Sequence, residues 1–156
     1  MPAWKHNLCA CCEDVNLCCS ACWCQCIATG QLHERAFGWG CLMISGVLWV
    51  LFASTVLFDA LSGVYHPLMS ADNFYIMVVF GSISSICALS SAIFGTIILC
   101  QIRRQIRVRD KVEPLCCGDA EDCCVPYWCG CCAIIQMLRQ ESVDGTNYVL
   151  CSPTAV

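Results

Sequence analysis

The stretch CCSACWCQC places Cys18, Cys19, Cys22, Cys24 and Cys26 within nine residues. Thiols this dense support three chemistries: crosslinking to one another, ligation of a soft metal, or carriage of a lipid. Thiolate is a strong ligand for zinc, cadmium and copper(I), and a tetrahedral site needs four donors converging at about 2.3 Å from the metal. Adjacent cysteines rarely bond each other without strain, so the pairs Cys18-Cys19 and Cys123-Cys124 favour metal over a disulfide within each pair.

The same pattern occurs twice. Residues 11–31 (CCEDVNLCCSACWCQCIATGQ) and 116–136 (CCGDAEDCCVPYWCGCCAIIQ) match at ten of 21 positions without a gap, at a constant offset of 105. Besides six cysteines, Asp14, Trp23, Ala28 and Gln31 coincide with Asp119, Trp128, Ala133 and Gln136. Cysteine bias does not explain those four matches, so an internal repeat is expected. Cys24 and Cys26 with Cys129 and Cys131 then make the candidate four-donor set. Cys18, Cys19, Cys123 and Cys124 extend it, and Cys11, Cys12, Cys116 and Cys117 are further candidates. Zinc bound through thiolates is the expected cofactor.

Which of the three chemistries applies depends on the compartment, and so on the elements that position the thiols. The chain has 156 residues, 58% of them hydrophobic and 13% charged, which is the profile of a small membrane protein. A net charge of -4 offers no basic surface for a phosphate backbone, so no nucleic-acid partner is expected. The start MPAWKHNLCACCED has no apolar core of a cleavable signal peptide, and the mature chain is expected to begin at or near Met1.

Residues 39–65 carry one charge, Asp59, and residues 74–100 carry none. Each run exceeds the roughly 20 residues needed to cross a hydrocarbon core as a helix. The connector 66–73, with Pro67, Asp72 and Asn73, suits a turn between antiparallel helices. It has no Lys or Arg, whereas Arg103, Arg104, Arg107, Arg109 and Lys111 follow the second run and Lys5 and Arg35 precede the first. The bias puts both termini in the cytosol. Cysteines outside the spans therefore face a reducing compartment, where metal-binding or redox thiols are the favoured reading.

The expected fold is an all-α membrane protein: a two-transmembrane-helix hairpin flanked by two repeated cytosolic Cys-rich modules. Its parts are an N-terminal module at 1–38, spans at 39–65 and 74–100 about the connector, a basic juxtamembrane segment at 101–115, a C-terminal module at 116–141 and a tail at 142–156. In the segment QIRRQIRVRDKVE, Ile102 and Ile106 stand four apart among basic residues, as in a helix lying against anionic headgroups. Gly81, Ser85, Ala88, Ala92 and Gly95, and Gly46, Ala53 and Ala60, form small-residue stripes that let helices approach closely in lipid, within one hairpin or between copies.

Other chemistry is sparse. Asp59 is the one ionisable residue in either run and by default a functional candidate, with His66 and Asp72 as a candidate outer mouth of an ion path. The span hydroxyls, among them Ser45, Ser54, Thr55, Ser82, Ser84, Ser85, Ser90 and Ser91, are expected to bond back to their own helix carbonyls. Cys41 and Cys100, at the cytosolic ends of the runs, are candidate lipidation sites. With three histidines and no triad spacing, phosphate loop or paired catalytic carboxylates, no enzyme is expected. Cys19-x-x-Cys22 has redox spacing but lacks the αβ context of a thioredoxin-like unit.

CCSACWCQCIATGQLHE at 18–34 and DCCVPYWCGCCAIIQMLRQE at 122–141 resemble the two signature regions of the placenta-specific gene eight family. Its plant branches include cadmium-resistance proteins and fruit-weight or cell-number regulators. Gln25 stands where the family signature has proline between two cysteines. The resemblance implies zinc or cadmium export, control of organ or cell size, and homo-oligomers. The leading expectation is a homo-oligomeric efflux or channel-like protein for soft divalent metal in the plasma membrane, with lipids, metal ions and its own copies as partners. The alternative is a non-transporting membrane scaffold, metal-braced or palmitoylated, that regulates growth or cell number.

Overall fold

A computed structural model describes residues 3–8, 12–65, 71–114, 117–143 and 148, the side chains of 65 and 71–73 excepted. Among these, all regular structure is helical. In chain order the helices are α1 (Val15–Trp23), α2 (Gln25–Phe37), α3 (Cys41–Tyr65), α4 (Ala71–Arg109), α5 (Glu121–Trp128) and α6 (Gly130–Gln140), with a 3-10 turn at Gly118–Ala120 before α5.

Local chemistry sets the boundaries. Asp14 caps α1 by accepting the Leu17 amide at 3.1 Å, which satisfies one of the donors a helix start leaves open. α2 stops at Gly38, whose φ of 80° is a left-handed conformation open to glycine at little cost. α4 ends as the Val112 amide reaches back to the Arg107 carbonyl at 3.0 Å with Lys111 left-handed, and α6 ends the same way through Val143 and Leu138 about Ser142. The break between α1 and α2 falls at Cys24 and that between α5 and α6 at Cys129, positions 105 apart (129 − 24). Both short helix pairs therefore bend at the register of the sequence match.

The chain forms two compact units, one made of 1–45 and 96–156, the other of Gly46–Gly95. In the first, α1, α2 and α5 all pack on α6, and every residue of α6 from Ala133 to Gln140 is buried. Leu17, Ala21, Ala28, Leu32, Ile102, Ile106, Ile134 and Met137 fill the space between these helices. A short helix covered on all sides is how so small a unit acquires a core.

Residues 101–109 continue α4 rather than forming a separate strip on headgroups. Ile102 and Ile106 are wholly buried, and Arg103 and Arg107 are buried beside them. The expected juxtamembrane helix is thus a core element of this unit, because its two arginines find acidic partners in α5 and the turn before it. Arg104 and Arg109 point outward.

In the second unit α3 and α4 meet at three places. Leu48 lies 3.8 Å from where a Cβ on Gly95 would sit, Phe58 and Phe80 have ring centroids 6.1 Å apart, and Ser84 bonds Asp59. Paired positions climb α3 as they descend α4, so the helices lie antiparallel there. The connecting residues 66–70 lie outside the described residues, while 71–73, expected in the connector, open α4. Cys41–Val64 and Phe74–Arg109 are long and apolar enough to cross a membrane. The hydroxyls of Ser54, Thr55, Ser82, Ser85, Ser90 and Ser91 each donate to the carbonyl four residues earlier, as expected of isolated span hydroxyls.

Candidate functional site

Arg103 and Arg107 stand one turn apart on α4 and aim the same way, and the Gly118–Ala120 turn with the start of α5 brings Asp119, Glu121 and Asp122 to them. Arg103 donates to Gln136 Oε1 of α6 at 2.5 Å and to Glu121 Oε1 at 3.1 Å, and its Nε lies 3.5 Å from Asp122 Oδ1. The guanidinium also sits over the Trp4 ring, 4.4 Å from its centroid. Arg107 donates to Asp122 Oδ2 at 2.8 Å and to Asp119 Oδ1 at 2.5 Å. Arg103 and Asp122 are each 1% exposed, so these charges are held out of water by one another.

Around this centre the N-terminal segment is tied to the C-terminal one. The Gln136 amide donates to the His6 carbonyl at 2.9 Å, Arg139 to Glu13 at 3.1 Å, and the Lys5 ammonium to the Gln140 carbonyl at 2.9 Å. Asp110 accepts from Arg109 at 2.8 Å and from Gln140 at 2.7 Å. The Arg109 bond, with the Gln140 bond behind it, holds the Asp110 carboxyl below its usual range. A depressed carboxylate contributes stability that is present above its unfolded value, near 3.8, and lost as pH falls through its folded one. Unfolding measured from about pH 5 downward should therefore show an acid-side loss that Asp110→Asn reduces, and equal slopes for the two proteins would refute this role.

The thiols fall into distinct environments. Cys18 lies near Cys22 on α1 and near Cys12, and Cys22 lies near Cys131 of α6. The Cys131 thiol pushes the Cys22 thiol up, and burial pushes the Cys26 thiol up. Cys24 lies near Tyr148, whose phenol is raised to about 12 by burial first and by that thiol second. Cys41 is buried at the start of α3, Cys19 and Cys124 are exposed, and Cys12 and Cys117 are at the surface. Cys11, Cys116 and His66 lie outside the described residues, and Asp72 falls in the first turn of α4, its side chain outside them.

Among the described residues four sulfurs are bonded: Cys100 to Cys123, and Cys129 to Cys132. The expectation of reduced thiols does not hold for these four, among them Cys100, a candidate lipidation site. The second bond closes a C-x-x-C at the start of α6, with Cys129 at the helix N-cap. That spacing is present in the sequence just as Cys19-x-x-Cys22 is, and nothing local marks which of the two closes. No bond joins the two members of either adjacent pair.

The donor set Cys24, Cys26, Cys129 and Cys131 is not assembled, since Cys129 is spent on Cys132. Among the described residues no group of three or more His, Cys, Asp or Glu side chains is placed to hold a metal ion.

Asp59, the ionisable residue of the apolar helices, accepts from Ser84 Oγ at 2.5 Å, and Ser84 is one of the two hydroxyls that depart from the back-bonding pattern. The other is Ser45, whose hydroxyl oxygen is buried against Gly30. The ion-pair centre is what sequence reasoning missed. The signal was present: two arginines four apart on a helix, followed by three acids within residues 119–122.

These features can be set beside known proteins. The chain is 26% identical to cell number regulator 9 of Zea mays over 91% of its own length, and 26% identical to cell number regulator 7 over 94%. Cell number regulator 11 is 28% identical over 87%. The chain spans about three-fifths of the length of these relatives, between 59% and 62%. No solved structure matches it. The profile of the PLAC8 family covers residues 4–140, from the tryptophan stacked on Arg103 to the last residue of α6. The chain belongs to the PLAC8 family.

Proposed function

We propose that the chain crosses a bilayer twice as a hairpin, keeps both termini in the cytosol, and acts at the plasma membrane as a scaffold that controls cell number. The repeated thiol-rich modules form its cytosolic unit. The observation that carries this is the state of the two long helices. Of their most apolar windows, 17% is buried within the chain, so the remaining surface needs lipid or further copies to cover it. The names of the maize relatives supply the role. Gly46 and Gly81 have nothing within 4 Å of an added Cβ, which supports contacts between copies along these stripes.

A second reading takes soft metal as cargo. Asp59 with Ser84 favours it, because a carboxylate in an apolar helix is expensive unless it serves a path or has a partner. Here the partner is present, and the cost of Asp59 is met without a conducted ion. Zinc and cadmium flux into proteoliposomes holding the purified chain separates the two. Under the scaffold reading flux equals that of empty liposomes, for wild type and Asp59→Asn alike. Flux that falls about tenfold or more in Asp59→Asn would establish a conductor and end the scaffold reading.

A further inference from the structure

The pair formed by Cys22 and Cys131 has no part in the centre described above. Cys22 lies in the last turn of α1 and Cys131 in the first turn of α6, and the two helices pack together. The ends that carry the thiols are close, since Gln25, three residues past Cys22, has its Nε2 3.1 Å from where a Cβ on Gly130, next to Cys131, would sit. Neither sulfur is bonded to another, Cys22 is exposed and Cys131 half-exposed. A small thiol reagent can therefore reach Cys22 while Cys131 waits beside it. The chain already sustains two sulfur-sulfur bonds in the same unit, at Cys100–Cys123 and Cys129–Cys132.

We propose that Cys22 and Cys131 are a reversible redox pair that exchanges with a low-molecular-weight disulfide of the glutathione class and, when oxidised, fastens α1 to α6. In the first step the Cys22 thiolate attacks one sulfur of the small disulfide. That bond breaks, one small thiolate leaves, and a mixed disulfide forms on Cys22. In the second step the Cys131 thiolate attacks the Cys22 sulfur, the mixed bond breaks and a second small thiolate leaves. The two protons given up by Cys22 and Cys131 end on the two departing thiolates. The pair has lost two electrons and the small disulfide has gained them.

The consequence follows from what α6 holds. Through Gln136 it binds Arg103, through Arg139 it binds Glu13, and through Gln140 it binds Asp110. A bond from α1 to the start of this helix closes the N-terminal segment onto the C-terminal one, so chain opening between them becomes rarer. The small-disulfide poise thereby sets how firmly the unit is closed.

The test uses the full chain in detergent micelles, equilibrated with oxidised and reduced glutathione at several ratios, alkylated to trap free thiols, and mapped by mass spectrometry without reduction. A Cys22–Cys131 crosslink should rise with the oxidised fraction, disappear when reduced glutathione is restored, and exceed any other new crosslink by about tenfold, because packed neighbours have the higher effective concentration. Cys131→Ser should leave Cys22 trapped as the glutathione mixed disulfide. The wild-type crosslink map decides the matter by itself, so a poorly folding variant does not. Oxidation that instead joins Cys22 to Cys18 or Cys19, or that stops at the mixed disulfide in wild type, would overturn the proposal.

Discussion

Arg103→Met should destabilise the first unit by about 3–5 kcal/mol, the loss expected when one member of a buried ionic group is removed and the others stay behind. The substitution keeps most of the stem volume, so the effect is electrostatic. Glu121 and Asp122 would remain buried, Gln136 would lose its donor, and Trp4 would lose the cation over its ring. Arg103→Lys should recover little, since one ammonium cannot reach Gln136, Glu121 and Asp122 in the planar fork the guanidinium uses. Arg104→Met is the control, because its side chain is 64% exposed and surface pairs contribute little. Thermal unfolding in detergent, followed by helicity and by protease susceptibility of residues 117–143, measures both. Equal midpoints for Arg103→Met and Arg104→Met would show that the buried group is not a keystone of the fold.

The second large effect is expected at Gly30. A Cβ there would lie 2.0 Å from Ser45 Oγ and 2.7 Å from the Cys41 carbonyl oxygen, both on the start of α3. The Ser45 hydroxyl can turn aside by rotation, but the carbonyl is backbone and moves only with the helix. Gly30→Ala should therefore cost about 1–3 kcal/mol by overpacking. Adding Ser45→Gly should return part of that loss and leave the part owed to the Cys41 carbonyl. Gly63→Ala, with nothing within 4 Å, should cost nothing and gain a few tenths of a kcal/mol or more from helix propensity, up to about 1. If Gly30→Ala unfolds with wild type, α2 and α3 do not approach as closely as described.

The two positions divide the fold between what a linear reading reaches and what it does not. Gly30 sits in the segment matched to residues 116–136, where Ile135 occupies the equivalent place. Nothing local distinguishes a glycine that admits another helix from one that merely weakens its own. Arg103 belongs to a basic run after an apolar one, a pattern that topology signals and buried ion pairs share.

By itself the sequence determined the properties that depend on a residue and its near neighbours. Two apolar runs long enough to be spanning helices and the hydroxyls that bond back four residues are local, because helix geometry and transfer from water act within a few residues. The family was legible for the same reason, through spacing within each thiol-rich stretch. Only the tertiary structure decided partners. Nineteen cysteines allow far too many pairings for spacing to choose Cys100 with Cys123, Cys129 with Cys132, or Cys22 beside Cys131. Likewise, whether Arg103 and Arg107 face headgroups or acids depended on α5 and α6 folding back against α4. Those choices rest on distances between segments far apart in the chain, and such distances exist only once the core has formed.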